Sequence, residues 1–119
     1  MLKVRVSQIG VFKDLAVQLF EDEMMVHSRS FSPQTCEVLS DDELRMKLRS
    51  AMLQSGTYGF SDRGPVRTYI ELMLLFGSGF DTDPQYSSLR DILKGSGHQM
   101  SRAELLYEYI LDYQSDKSG

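Results

Sequence analysis

The segment Val66 to Phe76 constrains this chain more than any other. Val66, Tyr69, Ile70 and Met73 recur at spacings of three and four, so a helix brings them to one face. Leu72, Leu74, Leu75 and Phe76 then fill the rest of the circumference. A helix that is apolar all round has to be covered on every side. The longest unbroken apolar run, Leu72 to Phe76, is far short of the roughly 20 residues that a bilayer span needs. The cover must therefore be protein, and this is the central helix of a bundle. Asp62 to Pro65 opens it, with Pro65 suited to a first turn, and Gly77-Ser78-Gly79 ends it.

The other segments are its walls. A first helix is expected from near Ser7 to near Arg29, with Ile9, Phe12, Ala16, Leu19 and Phe20 on one face. Val11 and Met25 point away from that face and Val17 lies to its side, so the helix is apolar on more than one side. Leu2, Val4 and Val6 alternate with polar residues, which keeps a short strand open as the alternative there. Phe31 to Leu39 reads as a loop around Pro33. Ser40-Asp41-Asp42-Glu43 is a capping box, with the two aspartates at the positive end of the helix dipole. Leu44, Leu48, Ala51 and Met52 form the buried stripe of that helix, and Gly56 suits its C-terminal stop.

After a turn at Phe80 to Gln85, a short helix carries Tyr86, Leu89, Ile92 and Leu93. Ser101-Arg102-Ala103-Glu104 is a second capping-box pattern. It opens a last helix with Leu106, Tyr109, Ile110 and Tyr113 inward and Glu104, Glu108 and Asp112 outward. No two segments read as strands that could pair. The expected fold is all-α: a single-domain irregular bundle of about five helices over residues 1–114, with a polar tail at 115–119 that frays.

A chain of 119 residues fits one domain and can bury roughly two-thirds of its unfolded surface. Apolar residues make up 41% of it, which argues against disorder. Asp and Glu number 17 against 13 Lys and Arg, so the basic surplus of a nucleic-acid binder is missing. Cys36 is the single cysteine and cannot form an internal disulfide. The N-terminus has neither an apolar h-region nor a small-residue cleavage site. Together these point to the cytoplasm, with no membrane and no nucleic-acid partner.

Reactive constellations are equally sparse. Cys36, His27 and His98 stand too far apart for the paired spacing of a zinc site, so no metal and no cofactor is expected, and both histidines read as surface residues. Asp81-Thr82-Asp83-Pro84-Gln85-Tyr86 begins like a calcium loop, but Tyr86 stands where the sixth-position glycine belongs and Ile92 where the glutamate does. Asx-turns, in which each aspartate accepts backbone N–H groups, account for Asp81 and Asp83. Gly77-Ser78-Gly79 lacks the frame and the lysine of a phosphate loop. No G-x-S-x-G occurs, and the pairs Glu21/Glu23 and Asp41/Asp42 sit in polar turns where solvation keeps them ordinary. No enzyme is expected. Arg45, Lys47 and Arg49 read as a solvated or acid-paired face, and Met25 and Met46 as surface methionines suited to adaptable binding.

Tyr58-Gly59-Phe60, then Val66-Arg67-Thr68-Tyr69-Ile70-Glu71-Leu72-Met73, then Phe76-Gly77-Ser78-Gly79-Phe80-Asp81-Thr82-Asp83-Pro84 resemble a group of small bacterial proteins from type VI secretion effector clusters. These often lie beside PAAR-repeat spike proteins. Similar proteins have Pro-Trp-Ala soon after the Asp-Pro step, where this chain has Tyr86-Ser87-Ser88. The resemblance implies an accessory role in holding, loading or stabilising an effector, and supplies no catalytic residue.

The expectation is thus a non-enzymatic adaptor or chaperone-like protein that docks on an effector, a co-adaptor or a toxin, with homo-oligomerisation left open. Its binding residues would be Val11, Val17 and Met25 of the first helix and Phe80, Asp81, Asp83 and Tyr86 of the turn. Two alternatives stand beside it. One is an immunity protein that blocks a toxin, for which the net charge of −4 would suit a basic nuclease. The other is a hydrolytic effector domain dependent on His27 or His98.

Overall fold

The helix Arg63–Phe76 is buried on every side from Pro65 to Leu74, with Arg67 the one exposed residue of that stretch. A computed structural model describes the backbone of residues 6–118 and the side chains of residues 15–116. Among the described residues the order is α1 (Val6–Phe31), α2 (Pro33–Glu37), α3 (Asp41–Thr57), α4 (Arg63–Phe76), two 3-10 turns (Phe80–Thr82 and Pro84–Tyr86), α5 (Ser87–Leu93) and α6 (Gln99–Ser118), with no strand. The fold is an all-α bundle in which α4 packs against α1, α3, α6 and the first 3-10 turn. The α4 residues Val66, Tyr69, Ile70, Leu72, Met73 and Leu74 anchor the core. Leu44 and Leu48 come to it from α3, Leu89 and Leu93 from α5, and Leu106 and Ile110 from α6.

The helix termini follow local chemistry, with three differences from the sequence reading. At α3 the capping box forms as expected: Glu43 N–H donates to Ser40 Oγ at 3.1 Å and Ser40 N–H to Glu43 Oε1 at 3.0 Å. Its C-terminus, however, is not at Gly56, which stays helical. Gly59 takes the stop with φ +82, while Gly59 N–H bonds to Gly56 O and Phe60 N–H to Ser55 O. This is a Schellman closure, and burial of Phe60 against the core selects it over the earlier glycine.

The second difference is at α6, which starts at Gln99, two residues before the expected cap. Ser101 and Glu104 therefore lie inside the helix. His98 Nδ1 accepts from Met100 N–H at 3.1 Å instead, and the Gln99 amide oxygen accepts from Ser61 N–H (2.8 Å) and Asp62 N–H (3.0 Å) at the start of α4. The guanidinium of Arg102 fixes this corner by donating to the carbonyls of Tyr58, Leu93 and Gly97 while lying over the Phe60 ring. At its other end α6 runs to Ser118, through most of the segment expected to fray, because no breaker precedes Gly119.

Third, the loop expected at Phe31 to Leu39 contains α2, with Pro33 in its first turn and Cys36 buried beneath it. The Cys36 thiol donates to Ser28 O, and burial pushes its pKa up.

The inward face of α1 also differs. Phe20, Met24 and Ser28 face the bundle, but Leu19, assigned to that face from sequence, is 63% exposed. Ile9, Val11 and Phe12 have side chains outside the described residues, as do Leu2 and Val4, where a strand was the alternative.

Candidate functional site

The turn after α4 carries four of the residues singled out by sequence, and the structure separates them. Phe80 is buried, its ring centroid 5.1 Å from that of Tyr69, because the 3-10 turn Phe80–Thr82 folds it back into the core. It is a core side chain. Asp83 is exposed, and its carboxylate accepts the Gln85 N–H at 3.0 Å, the expected Asx-turn. Tyr86 is half-buried, its ring 4.7 Å from that of Phe76.

Asp81 behaves otherwise. It is 3% exposed, and its Oδ2 accepts from the Tyr58 hydroxyl at 2.6 Å and from Gln54 Nε2 at 2.9 Å. These are side-chain donors from the end of α3, in place of the backbone groups expected. Burial, and then the bond to Asp81, push the Tyr58 pKa up to about 12. The Tyr69 hydroxyl is buried with no hydrogen bond of ordinary length, and burial, then the charge of Asp81 and a longer contact with its carboxylate, push its pKa up. Asp81 and Tyr69 line a cleft of about 270 Å³ with Ser50 and Gln54 of α3, Ser78 and Thr82, and Lys47 also borders it.

On α1, Val17 is 38% exposed and borders a second groove of about 390 Å³, formed with Phe20, Met52, Phe60, Arg63 and Val66. Met25, expected at the surface, is half-buried against the core, whereas Met46 is exposed. The side of α1 opposite Phe20 and Met24 carries Leu15, Leu19 and Val26, which are 50%, 63% and 74% exposed. Their spacings of four and seven put them on one line along the helix. Asp22 falls on the same line and pairs with Arg45 at 2.8 Å.

Two buried carboxylates, Glu21 and Glu71, hold α1 in place. Glu21, expected to be solvated, lies in the interior and takes Arg45 Nη1 at 3.0 Å and Arg49 Nε at 2.9 Å from α3. Burial raises its pKa, but the bonds from Arg49 and Arg45 outweigh burial and hold it below the ordinary value. Glu71 on α4 lies 2.8 Å from His27 Nε2, with Arg67 Nε at 3.6 Å. His27 is therefore a part-buried interhelical partner and not a surface residue, and it borders neither the Asp81 cleft nor the Val17 groove. His98 is exposed, as expected.

Among the described residues no three or more His, Cys, Asp and Glu side chains are grouped to hold a metal ion. No described helix is long and apolar enough to cross a membrane. Sequence reasoning found Asp81 but missed Tyr58, Tyr69 and Gln54 around it. Their only signal was polar or amphipathic character at the end of one helix and within the next, which names no common target. No protein-family model, curated protein or solved structure matches this chain.

Proposed function

We propose that this chain is a non-enzymatic protein-binding accessory, an adaptor or chaperone-like protein that holds a type VI secretion effector before export. One observation carries the reading: the outward line of Leu15, Leu19 and Val26 on α1. None of the three belongs to the core cluster or to the partly buried side chains packed on it. A partner that covered them would gain about 25 cal/mol for each Å² of apolar surface removed from water. Glu23 and Arg63, paired beside that line, can set the orientation of a docked partner. The link to effectors is supported by the resemblance carried on residues 58–84, and it implies a cytoplasmic place of action.

Co-expression with the effector encoded beside it tests the reading. The double substitution Leu15→Glu, Leu19→Glu should change folding stability by no more than about 0.5 kcal/mol, as exposed positions do. It should abolish co-purification and reduce export of the effector. Unchanged co-purification and export in that variant would sink the proposal. The acidic balance, −4 overall, favours one second reading, an immunity protein for a basic toxin. In that case co-expression abolishes toxicity in the producing cell, whereas an adaptor leaves the toxin active.

A further inference from the structure

The outward face of α6 carries a second apolar line. Met100, Tyr107 and Leu111 are 46%, 47% and 46% exposed, so each keeps about half of its surface for something outside the bundle. With Glu104 between them, their spacings of four, three and four place them on one line along the helix. Met100 and Tyr107 border a groove of about 330 Å³ between α4 and α6. Its floor is Pro65, Thr68 and Ala103, which are buried, with Gly64 beside them. These are small residues, and helix axes approach more closely where the side chains at the contact are small. The Thr68 hydroxyl is already used, donating to Gly64 O at 3.0 Å. At the far end of the line, Leu111 borders a further hollow of about 620 Å³ with Phe31, Pro33, Leu74 and Leu75.

The charge beside this line has one sign. From Ala103 to Asp116, α6 carries four acidic residues and no basic one. Glu104 and Glu108 line the groove itself, and Asp112 continues their row one turn further on. All three are exposed, and none has an ion pair among the described residues. Elsewhere in the fold Glu21, Asp22, Glu23, Asp41 and Glu71 each take an arginine or a histidine. Arg67, the exposed cation of α4, is turned to Glu71 and does not border the groove. The chain's own cations therefore leave this face uncompensated.

We propose that the groove between α4 and α6 docks a basic amphipathic helix of another protein. Apolar side chains of that helix cover Met100, Tyr107 and Leu111, and its lysines or arginines face Glu104, Glu108 and Asp112. The line from Met100 to Leu111 is roughly 16 Å long at the rise of an α-helix, so the docked segment needs about three turns. A helix laid in a groove presents its anchors at i, i+3 or i+4, and i+7, the same spacing as the line it meets. Opposite charge along the rim fixes its direction and register. A second copy of this chain does not fit, because a two-fold pairing through α6 sets the carboxylates of one copy against those of the other. The inference does not depend on the outward face of α1.

The test is an NMR titration of the purified full chain with a capped peptide built from repeats of Leu-Lys-Lys-Leu-Leu-Lys-Lys. The control peptide has glutamate in place of every lysine. We expect saturable shifts with the lysine peptide, confined to the amides of residues 64–68 and 100–112 and weakened by added salt, and none with the control. Tyr107→Ala should weaken binding by about tenfold, the scale of a central aromatic anchor. Glu104→Gln combined with Glu108→Gln should weaken it by about fivefold, as loss of two exposed ion pairs does, and should flatten the salt dependence. Leu15→Glu combined with Leu19→Glu should leave it unchanged, which separates failure here from failure of the α1 reading. If Tyr107→Ala does not fold, the glutamine pair carries the test, because both positions are exposed and unpaired. Absence of saturable shifts, equal binding of the glutamate peptide, shifts that map to α1, or affinity unchanged in the glutamine pair overturns the proposal. So does a dimer in sedimentation that Tyr107→Ala dissolves, since a second copy is then the occupant.

Discussion

His27 Nε2 on α1 lies 2.8 Å from Glu71 Oε2 on α4, joining residues 44 positions apart. Glu71 is almost fully enclosed, so its remaining partner, Arg67 at 3.6 Å, reaches it only from the exposed side of α4. His27→Ala should therefore cost about 1–3 kcal/mol, the range for leaving a buried polar group short of a partner. His27→Gln, which can still donate, should recover part of that loss. Urea unfolding of the two variants measures both.

Glu21 gives the fold a defined acid sensitivity. Its folded-state pKa is held below the ordinary value of 4.5 by Arg49 and Arg45, against the opposing effect of burial. A group with a depressed folded pKa binds protons more readily once unfolded. Its stabilisation is thus fully present above pH 4.5 and is lost as the pH falls toward and through the folded value. Glu43, held down by its capping bonds to Ser40, acts in the same direction. Glu21→Gln should lower stability at neutral pH by about 1–2 kcal/mol, because both arginines stay partly solvated. It should also flatten the acid limb of a plot of urea midpoint against pH.

Gly77 and Gly56 should respond oppositely to alanine. Gly77 ends α4 at φ +98 and ψ 161, a region essentially restricted to glycine. Gly77→Ala should cost about 1–3 kcal/mol through backbone strain, although an added Cβ meets nothing within 4 Å. Gly56 is helical within α3 and its site is equally open. Gly56→Ala should stabilise by about 0.5–1 kcal/mol. Thermal unfolding should shift the midpoints in opposite directions.

The two tyrosines near Asp81 should also separate. Tyr58→Phe removes a 2.6 Å donor from a buried carboxylate and should cost about 1–3 kcal/mol. Tyr69→Phe removes a hydroxyl with no hydrogen bond of ordinary length and should cost less, within about 0.5 kcal/mol. Denaturant midpoints of the two variants at neutral pH decide this, since the Tyr58 hydroxyl stays protonated up to about pH 12.

What depends on neighbours a few residues apart was already legible in the order of the amino acids. Apolar residues around the whole of Val66 to Phe76 marked α4 as central, and Ser40 with Glu43 marked the start of α3. The inward choice of Leu106 and Ile110 was legible in the same way. Spacing is a local code, and it failed where two local solutions competed. Gly56 and Gly59 could each stop α3, and only the burial of Phe60 selected the second. Leu19 fits an apolar stripe, yet tertiary packing turned α1 so that Phe20, Met24 and Ser28 face inward. The polar contacts were out of reach of any pattern. Tyr58 and Asp81 are 23 positions apart, Glu21 and Arg45 are 24 apart, and Arg102 meets the Tyr58 carbonyl across 44. No period relates such residues, because their meeting depends on how whole helices cross, and that is fixed only when the core closes around α4.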